Sequence, residues 1–145
     1  MNKKTILITG ANGEIGHTLL EDLTKQGHSV IAIDLHPLSP EHESLCEEVI
    51  VGNILDEDVI RAAEKYDIHE IYHLAALLST SAERNPELGH RVNVEGTLNF
   101  LQLAYRLGKR MGEPVKFLFP STIAVFGISS LEEKMRIGKV TENDC

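Results

Sequence analysis

The chain is poor in positive charge: 14 lysines and arginines face 22 aspartates and glutamates, a formal net charge of −8 over 145 residues. Nucleic acid or an anionic membrane surface would find no complementary charge, so neither is an expected partner. An anionic small molecule stays open, because backbone N–H groups can hold one without side-chain cations. Cysteine is scarce as well. Cys46 and Cys145 form no CxxC pair and no secretory signal precedes them, which argues against a disulfide framework. Long apolar runs are missing. The run after Lys3 and Lys4 breaks at Gly10, too short for a signal core, and no later run approaches a membrane span. The expected compartment is the cytoplasm. There is no repeat, no low-complexity tract and no long linker, and no metal is expected.

What is present suits one globular domain over residues 1–145, with 42% hydrophobic and 25% charged residues. Short apolar runs alternate with helical periodicity. Strands are expected at Thr5–Thr9, Ser29–Ile33, Val49–Val51, Glu70–Leu74 and Val115–Phe119. Between them a helix is expected over Glu14–Gln26, stopped by Gly27, and a second over Glu57–Lys65, capped by Asp56. The stretch from His36 to Glu48, with two prolines, reads as loop with at most a short helix. The longest expected helix runs from Pro86 to about Lys109, with Val94, Leu98, Leu101 and Tyr105 along one stripe. After Pro120 the pattern dissolves into polar loop. This α/β order predicts an open, doubly wound parallel sheet of about five strands, with a ligand at the carboxyl ends of the strands.

The first turn lies at such an end. In "ILITGANGEIGHTLL" (6–20), Gly10, Gly13 and Gly16 separate a strand from a helix. A pyrophosphate at a helix N-terminus is held by free N–H groups and the helix dipole, and side chains on the loop would block its approach. Gly10 would allow the tight turn, Gly13 the close approach and Gly16 the packing of the helix. Three glycines also suit an αβ turn that binds nothing. Asp34 tips the balance. It ends the second strand 18 residues after Gly16, where a carboxylate accepts from both hydroxyls of an adenosine ribose and repels a 2′-phosphate. NAD is therefore favoured over NADP.

Four motifs in order along the chain resemble the extended short-chain dehydrogenase/reductase family, which includes the NAD-dependent epimerases and dehydratases. They are "TGANGEIG" (9–16), "HLAA" (73–76), "NVEGT" (93–97) and "PSTIAVFG" (120–127). The resemblance implies a Rossmann-type fold with NAD as cofactor. Glu14 and Ile15 would place their backbone at the pyrophosphate, with Leu35 following Asp34 at the adenosine ribose. Leu74, Ala75 and Ala76 would pass beneath the nicotinamide ribose, and Asn93 would brace them from below. Thr122 would hydrogen-bond the substrate oxygen being oxidised. Each residue also has a plainer reading: Asn93 as a solvent-facing or capping residue, Ser121 and Thr122 as turn residues, His73 as a buried structural group. At the adenine pocket the family usually has Asp followed by an apolar residue. This chain has Asn53 and Ile54.

The family's chemistry rests on a tyrosine with a lysine four residues later. Tyrosine ionises at about pH 10 in water, so the lysine's charge is needed to make it a base near neutrality. Of Tyr66, Tyr72 and Tyr105, only Tyr105 has such a lysine, Lys109. That pair precedes the fifth strand, whereas the family's pair follows the Ser/Thr motif, so Tyr105 is expected to pack rather than react. "VTEND" (140–144) resembles the stretch shortly before the family's catalytic pair, and the pair is expected about a dozen residues beyond Cys145. The chain then reads as the N-terminal, NAD-binding part of an enzyme that oxidises a secondary alcohol, inactive alone. Family base rates favour a nucleotide-sugar. "AALLS" (75–79) and "PSTIAVFG" also resemble short-chain L-threonine 3-dehydrogenase. Other readings are a complete, non-catalytic NAD-binding module, or a scaffold whose loop holds nothing. The helix over 86–109 would lack a covering neighbour, so a homodimer or other self-association through it is expected.

Overall fold

The computed structural model describes residues 3–122, 125, 127, 130–139 and 141. Five parallel strands form one sheet: β1 (Thr5–Thr9), β2 (Ser29–Asp34), β3 (Glu48–Val51), β4 (Glu70–His73) and β5 (Lys116–Leu118), ordered β3-β2-β1-β4-β5. β1 sits at the centre, with Ile6 opposite Val30 on one side and Glu70 on the other. Strand order reverses at β1 and β4, the place where an open parallel sheet leaves a crevice at its carboxyl edge.

Alternation along the strands divides the core between the two faces. Leu7, Ile31, Ile33 and Ile71 face α3 (Glu57–Glu64) and α6 (Thr97–Met111), where Val59, Ala63, Phe100, Leu103 and Leu107 close over them. Ile6, Ile8, Val30 and Ala32 face α1 (Glu14–Lys25), which brings in Leu20 and Leu23, while Leu38 packs from the loop after β2. Both faces being covered explains why β1 and β2 read as unbroken apolar runs.

Gly27 ends α1 at φ +85°, as the sequence suggests. Asp56 stands at the start of α3, but among the described residues its side chain makes no capping bond. The turn is closed instead by Asn53, whose Oδ1 accepts from Leu55 N–H (3.0 Å) and whose carbonyl accepts from Asp56 N–H (2.9 Å).

The long helix expected from Pro86 is three pieces: α5 (Pro86–His90), a π-helical turn (Arg91–Gly96) and α6. A further short helix, α4 (Ser79–Arg84), precedes them in a stretch where the sequence predicts no element. α6 carries two apolar stripes at helical spacing. Phe100, Leu103, Ala104 and Leu107 are buried, whereas the stripe chosen from spacing, Val94, Leu98, Leu101 and Tyr105, is 44–64% exposed. Tyr105 therefore does not pack in the core. Beside this stripe, Leu101, Tyr105, Gly108, Pro114, Val115 and Phe117 line an open groove of about 600 Å³ along the edge of β5.

Past β5 the polar stretch is not all loop. α7 (Leu131–Ile137) begins at Ser130, whose Oγ accepts from Glu133 N–H at 3.1 Å. Ser130-Leu-Glu-Glu133 is a capping-box spacing that polarity alone conceals. α7 buries no residue. Ile123, Ala124 and Phe126 of the "PSTIAVFG" motif, most of "VTEND", and Cys145 lie outside the described residues.

The two faces of α6 can be told apart by mutation. Phe100→Ala should lower unfolding free energy by about 3–5 kcal/mol, and Leu98→Gln should change it by about 0.5 kcal/mol or less. Urea denaturation of the two variants measures both; equal losses would mean that the stripe, not Phe100, faces the core.

Candidate functional site: the glycine turn at the carboxyl edge of the sheet

The glycine turn hangs from the end of β2. The N–H groups of Gly10 and Ala11 both donate to the Ile33 carbonyl, at 2.9 and 3.2 Å. Gly10 has φ +71°, and a Cβ there would lie 2.7 Å from Ala75 N. The turn thus passes directly against the backbone leaving β4. Gly16, on the first turn of α1, would place a Cβ 2.5 Å from the Gly10 carbonyl oxygen, so it packs on the turn itself rather than on a strand. Gly13 differs: a Cβ there would meet only Gly10 O, at 3.2 Å. It is exposed and offers α1 no side-chain cap. The first amides of the helix, at Glu14 and Ile15, are left to solvent or a ligand, and both residues are exposed.

Asp34 stands beside this turn. Its Oδ2 accepts from Asn12 N–H (2.9 Å) and its Oδ1 from His36 N–H (3.1 Å). A carboxylate has about four acceptor positions, so two such bonds fix it and leave capacity for a diol. Leu35, next in the chain, is exposed. Asn53 and Ile54 follow β3. Asn53 is partly exposed, while the Ile54 side chain is buried against Gly96 and its carbonyl accepts from Asn99 Nδ2 at 3.4 Å. Only the backbone of Ile54 can therefore face a ligand.

On the other side of the turn, Leu74 and Ala75 are half-buried and Ala76 is exposed. Asn93, in the π turn, holds the next residue by both ends of its amide. Leu77 N–H donates to Oδ1 (2.7 Å) and Nδ2 donates to Leu77 O (3.0 Å). Its amide is thus committed to bracing the Leu74–Leu77 strap. Thr122 lies past β5 at the same sheet edge, exposed, its carbonyl accepting from Val125 N–H at 3.3 Å. Tyr105 and Lys109 do meet, with Lys109 Nζ 4.7 Å from the centre of the tyrosine ring rather than at its hydroxyl.

Residues 6–144 match the profile of the NAD dependent epimerase/dehydratase family. The chain belongs to that family. It is 38% identical over 132 residues to a UDP-N-acetyl-alpha-D-glucosaminuronate decarboxylase of Bacillus cytotoxicus, covering 86% of this chain and 38% of that protein. To the mitochondrial L-threonine 3-dehydrogenase of Sus scrofa it is 34% identical over 132 residues, 89% of this chain and 34% of the relative. A short-chain dehydrogenase/reductase superfamily protein from Agrobacterium tumefaciens, solved with bound NAD, superposes with a TM-score of 0.70 at 28% identity, over 87% of this chain and 35% of that one. The chain spans less than two-fifths of the length of each.

In this member of the epimerase/dehydratase family, Asn12 and Thr9 are polar residues of the site that carry no role in the sequence analysis, and His73 is the buried structural group expected. Asn12, between two of the glycines, ties the turn to Asp34. Buried Thr9 ends β1, and its hydroxyl accepts from Ala75 N–H (3.3 Å) and pairs with His73 Nδ1 (2.8 Å). Buried His73 lies near the rings of Phe100, Phe117 and Phe119. Its Nε2 finds no hydrogen-bond partner among the described residues. Burial alone pushes its pKa down to about 4. Folded His73 therefore stays neutral where the unfolded chain takes up a proton. Its contribution is complete above the ordinary histidine value of about 6.5 and is lost as pH falls toward 4. Between pH 7 and pH 4 the chain should lose roughly 3 kcal/mol more unfolding free energy than His73→Leu. Urea titrations at both pH values give the comparison, and parallel losses would show that His73 is not desolvated.

Proposed function

We propose that this chain is the NAD-binding portion of an extended short-chain dehydrogenase/epimerase whose whole form oxidises a secondary alcohol, of a nucleotide-sugar by preference. The observation that carries the reading is the Asp34 carboxylate, fixed by two backbone amides at the mouth of an uncapped, glycine-lined helix N-terminus. The residues fit the cofactor. The Glu14 and Ile15 amides face the pyrophosphate, where only a glycine stands in the approach. Asp34 accepts from the adenosine ribose and disfavours a 2′-phosphate, with Leu35 and Asn53 flanking the adenosine. Leu74, Ala75 and Ala76 form the floor under the nicotinamide ribose, and Asn93 keeps that floor in place. Bound NAD supplies the hydride acceptor. Thr122 is the residue that would hydrogen-bond the substrate oxygen in this reading. No Tyr-x-x-x-Lys pair follows it within the 145 residues.

The nucleotide-sugar preference draws on the decarboxylase of B. cytotoxicus, whose name specifies a UDP-sugar. A second reading, a short-chain L-threonine 3-dehydrogenase, draws on the pig enzyme and on "AALLS" (75–79). Calorimetric titration tests the cofactor assignment that both share. NAD should bind saturably, NADP and the Asp34→Ala variant each more weakly by about 10- to 100-fold, the worth of hydrogen bonds to a charged group. Equal heats with NAD and NADP would remove Asp34 from the site.

We also propose that the exposed stripe of Val94, Leu98, Leu101 and Tyr105, with the groove beside it, is covered by a second copy of the chain. Sedimentation equilibrium at tens of micromolar should show a dimer or larger species that Leu101→Glu returns to monomer. A monomeric parent chain would overturn this.

A further inference from the structure

We propose that the stacked rings of His17 and His42 position the Asp34 carboxylate, so that the preference for an unmodified adenosine ribose depends on a pair of histidines behind the site. This deepens, and rests on, the NAD-binding reading. His17 stands on α1 and His42 on α2 (Pro40–Glu43). Their ring centres are 4.2 Å apart and their planes within 8°. From the stack, hydrogen bonds run forward to the carboxylate. His17 Nε2 is 2.9 Å from Asn12 Oδ1, which can only accept, so Nε2 carries the proton. The same asparagine donates from Nδ2 to the Pro37 carbonyl at 3.4 Å and from its backbone N–H to Asp34 Oδ2 at 2.9 Å. Asn12 thereby joins the glycine turn to both ends of the loop that follows Asp34.

The rear of the stack is equally fixed. His42 Nε2 faces Glu21 Oε1 at 3.3 Å, and its Nδ1 meets the Ser39 hydroxyl at 2.9 Å. Glu21 is itself held by Lys25 at 3.1 Å, which with His42 lowers its pKa. α2 is a single turn, too short to be stable alone, and buries none of its residues. The loop before it enters the core through Leu38. The ring stack, together with the Asn12–Pro37 bond, ties this loop to the start of α1. Without the stack the loop is held less firmly against the turn, and the Asn12 amide fixes the carboxylate less firmly.

The test compares ADP with 2′-deoxy-ADP, which lacks a hydroxyl that Asp34 reads, by calorimetry on the whole chain. The parent should bind ADP about 10-fold more tightly, and Asp34→Ala should lose that ratio. His42→Ala and His17→Gln should each bring the ratio below about threefold, while His42→Phe, which keeps a flat ring in the stack, should retain it. General destabilisation would weaken both ligands together and leave the ratio unchanged. An unchanged ratio in His42→Ala and His17→Gln overturns the inference alone, as does a ratio in His42→Phe as low as in His42→Ala. A parent that binds both ligands equally removes Asp34 from ribose recognition, and the inference with it. A parent that binds neither overturns the cofactor reading as well.

Discussion

The site exists because two stretches of backbone meet without a side chain between them. Gly10 turns at φ +71° and lies so close to Ala75 that a methyl group would sit 2.7 Å from its amide nitrogen. Gly16 repeats the condition 2.5 Å from the Gly10 carbonyl. Neither contact yields to a small adjustment, since the opposing atoms are backbone, just past β4 or in the glycine turn itself. Once both are satisfied, the start of α1, the end of β2 and the end of β4 are fixed relative to one another. A cofactor site made mainly of backbone amides needs that rigidity, because amides cannot move toward a ligand as side chains can.

From that junction the polar residues form two struts. On the β2 side, Asn12 and His36 hold Asp34 by their amides. On the β4 side, Thr9 holds Ala75, and Asn93 holds Leu77 from below. The struts differ in depth. Thr9 and His73 are buried and lie against aromatic rings, so their arrangement is bound up with the stability of the sheet. Asn12 and the loop after Asp34 lie at the surface, where two stacked rings do the work of packing. The strut at Asp34 is therefore more easily altered by mutation than the strut at Thr9.

The central architecture was legible because it is written in local chemistry. Buried parallel strands demand short apolar runs, and a turn of positive φ demands glycine, so β1, α1, β2 and the site at their junction could be read in order. The carboxylate at Asp34 was legible from its position after a strand. Orientation within helices was not. The stripe Val94, Leu98, Leu101 and Tyr105 satisfied helical spacing, yet Phe100, Leu103 and Leu107 are the buried residues. Two stripes of α6 satisfy helical spacing, and spacing alone does not say which of them meets the sheet. Asn12 and the histidine stack were invisible for another reason: His17 and His42 are 25 residues apart in sequence, and no local pattern marks a pair brought together by two loops.

The irregular turn before α6 has a physical use. A regular α-helix through Arg91–Gly96 would carry Asn93 and Phe100 seven residues apart, on nearly one face. Asn93 must face the Leu74–Leu77 strap while Phe100 must face the sheet beneath it. A π turn rotates the two relative to each other without ending the helix. Gly96, which closes it, lies against Ile54: a Cβ there would come within 2.6 Å of the Ile54 Cδ1. That contact ties Ile54, which follows Asn53, to the turn that carries Asn93. The two sides of the candidate site are therefore joined twice, through the glycine turn above the sheet edge and through the Gly96–Ile54 contact below it.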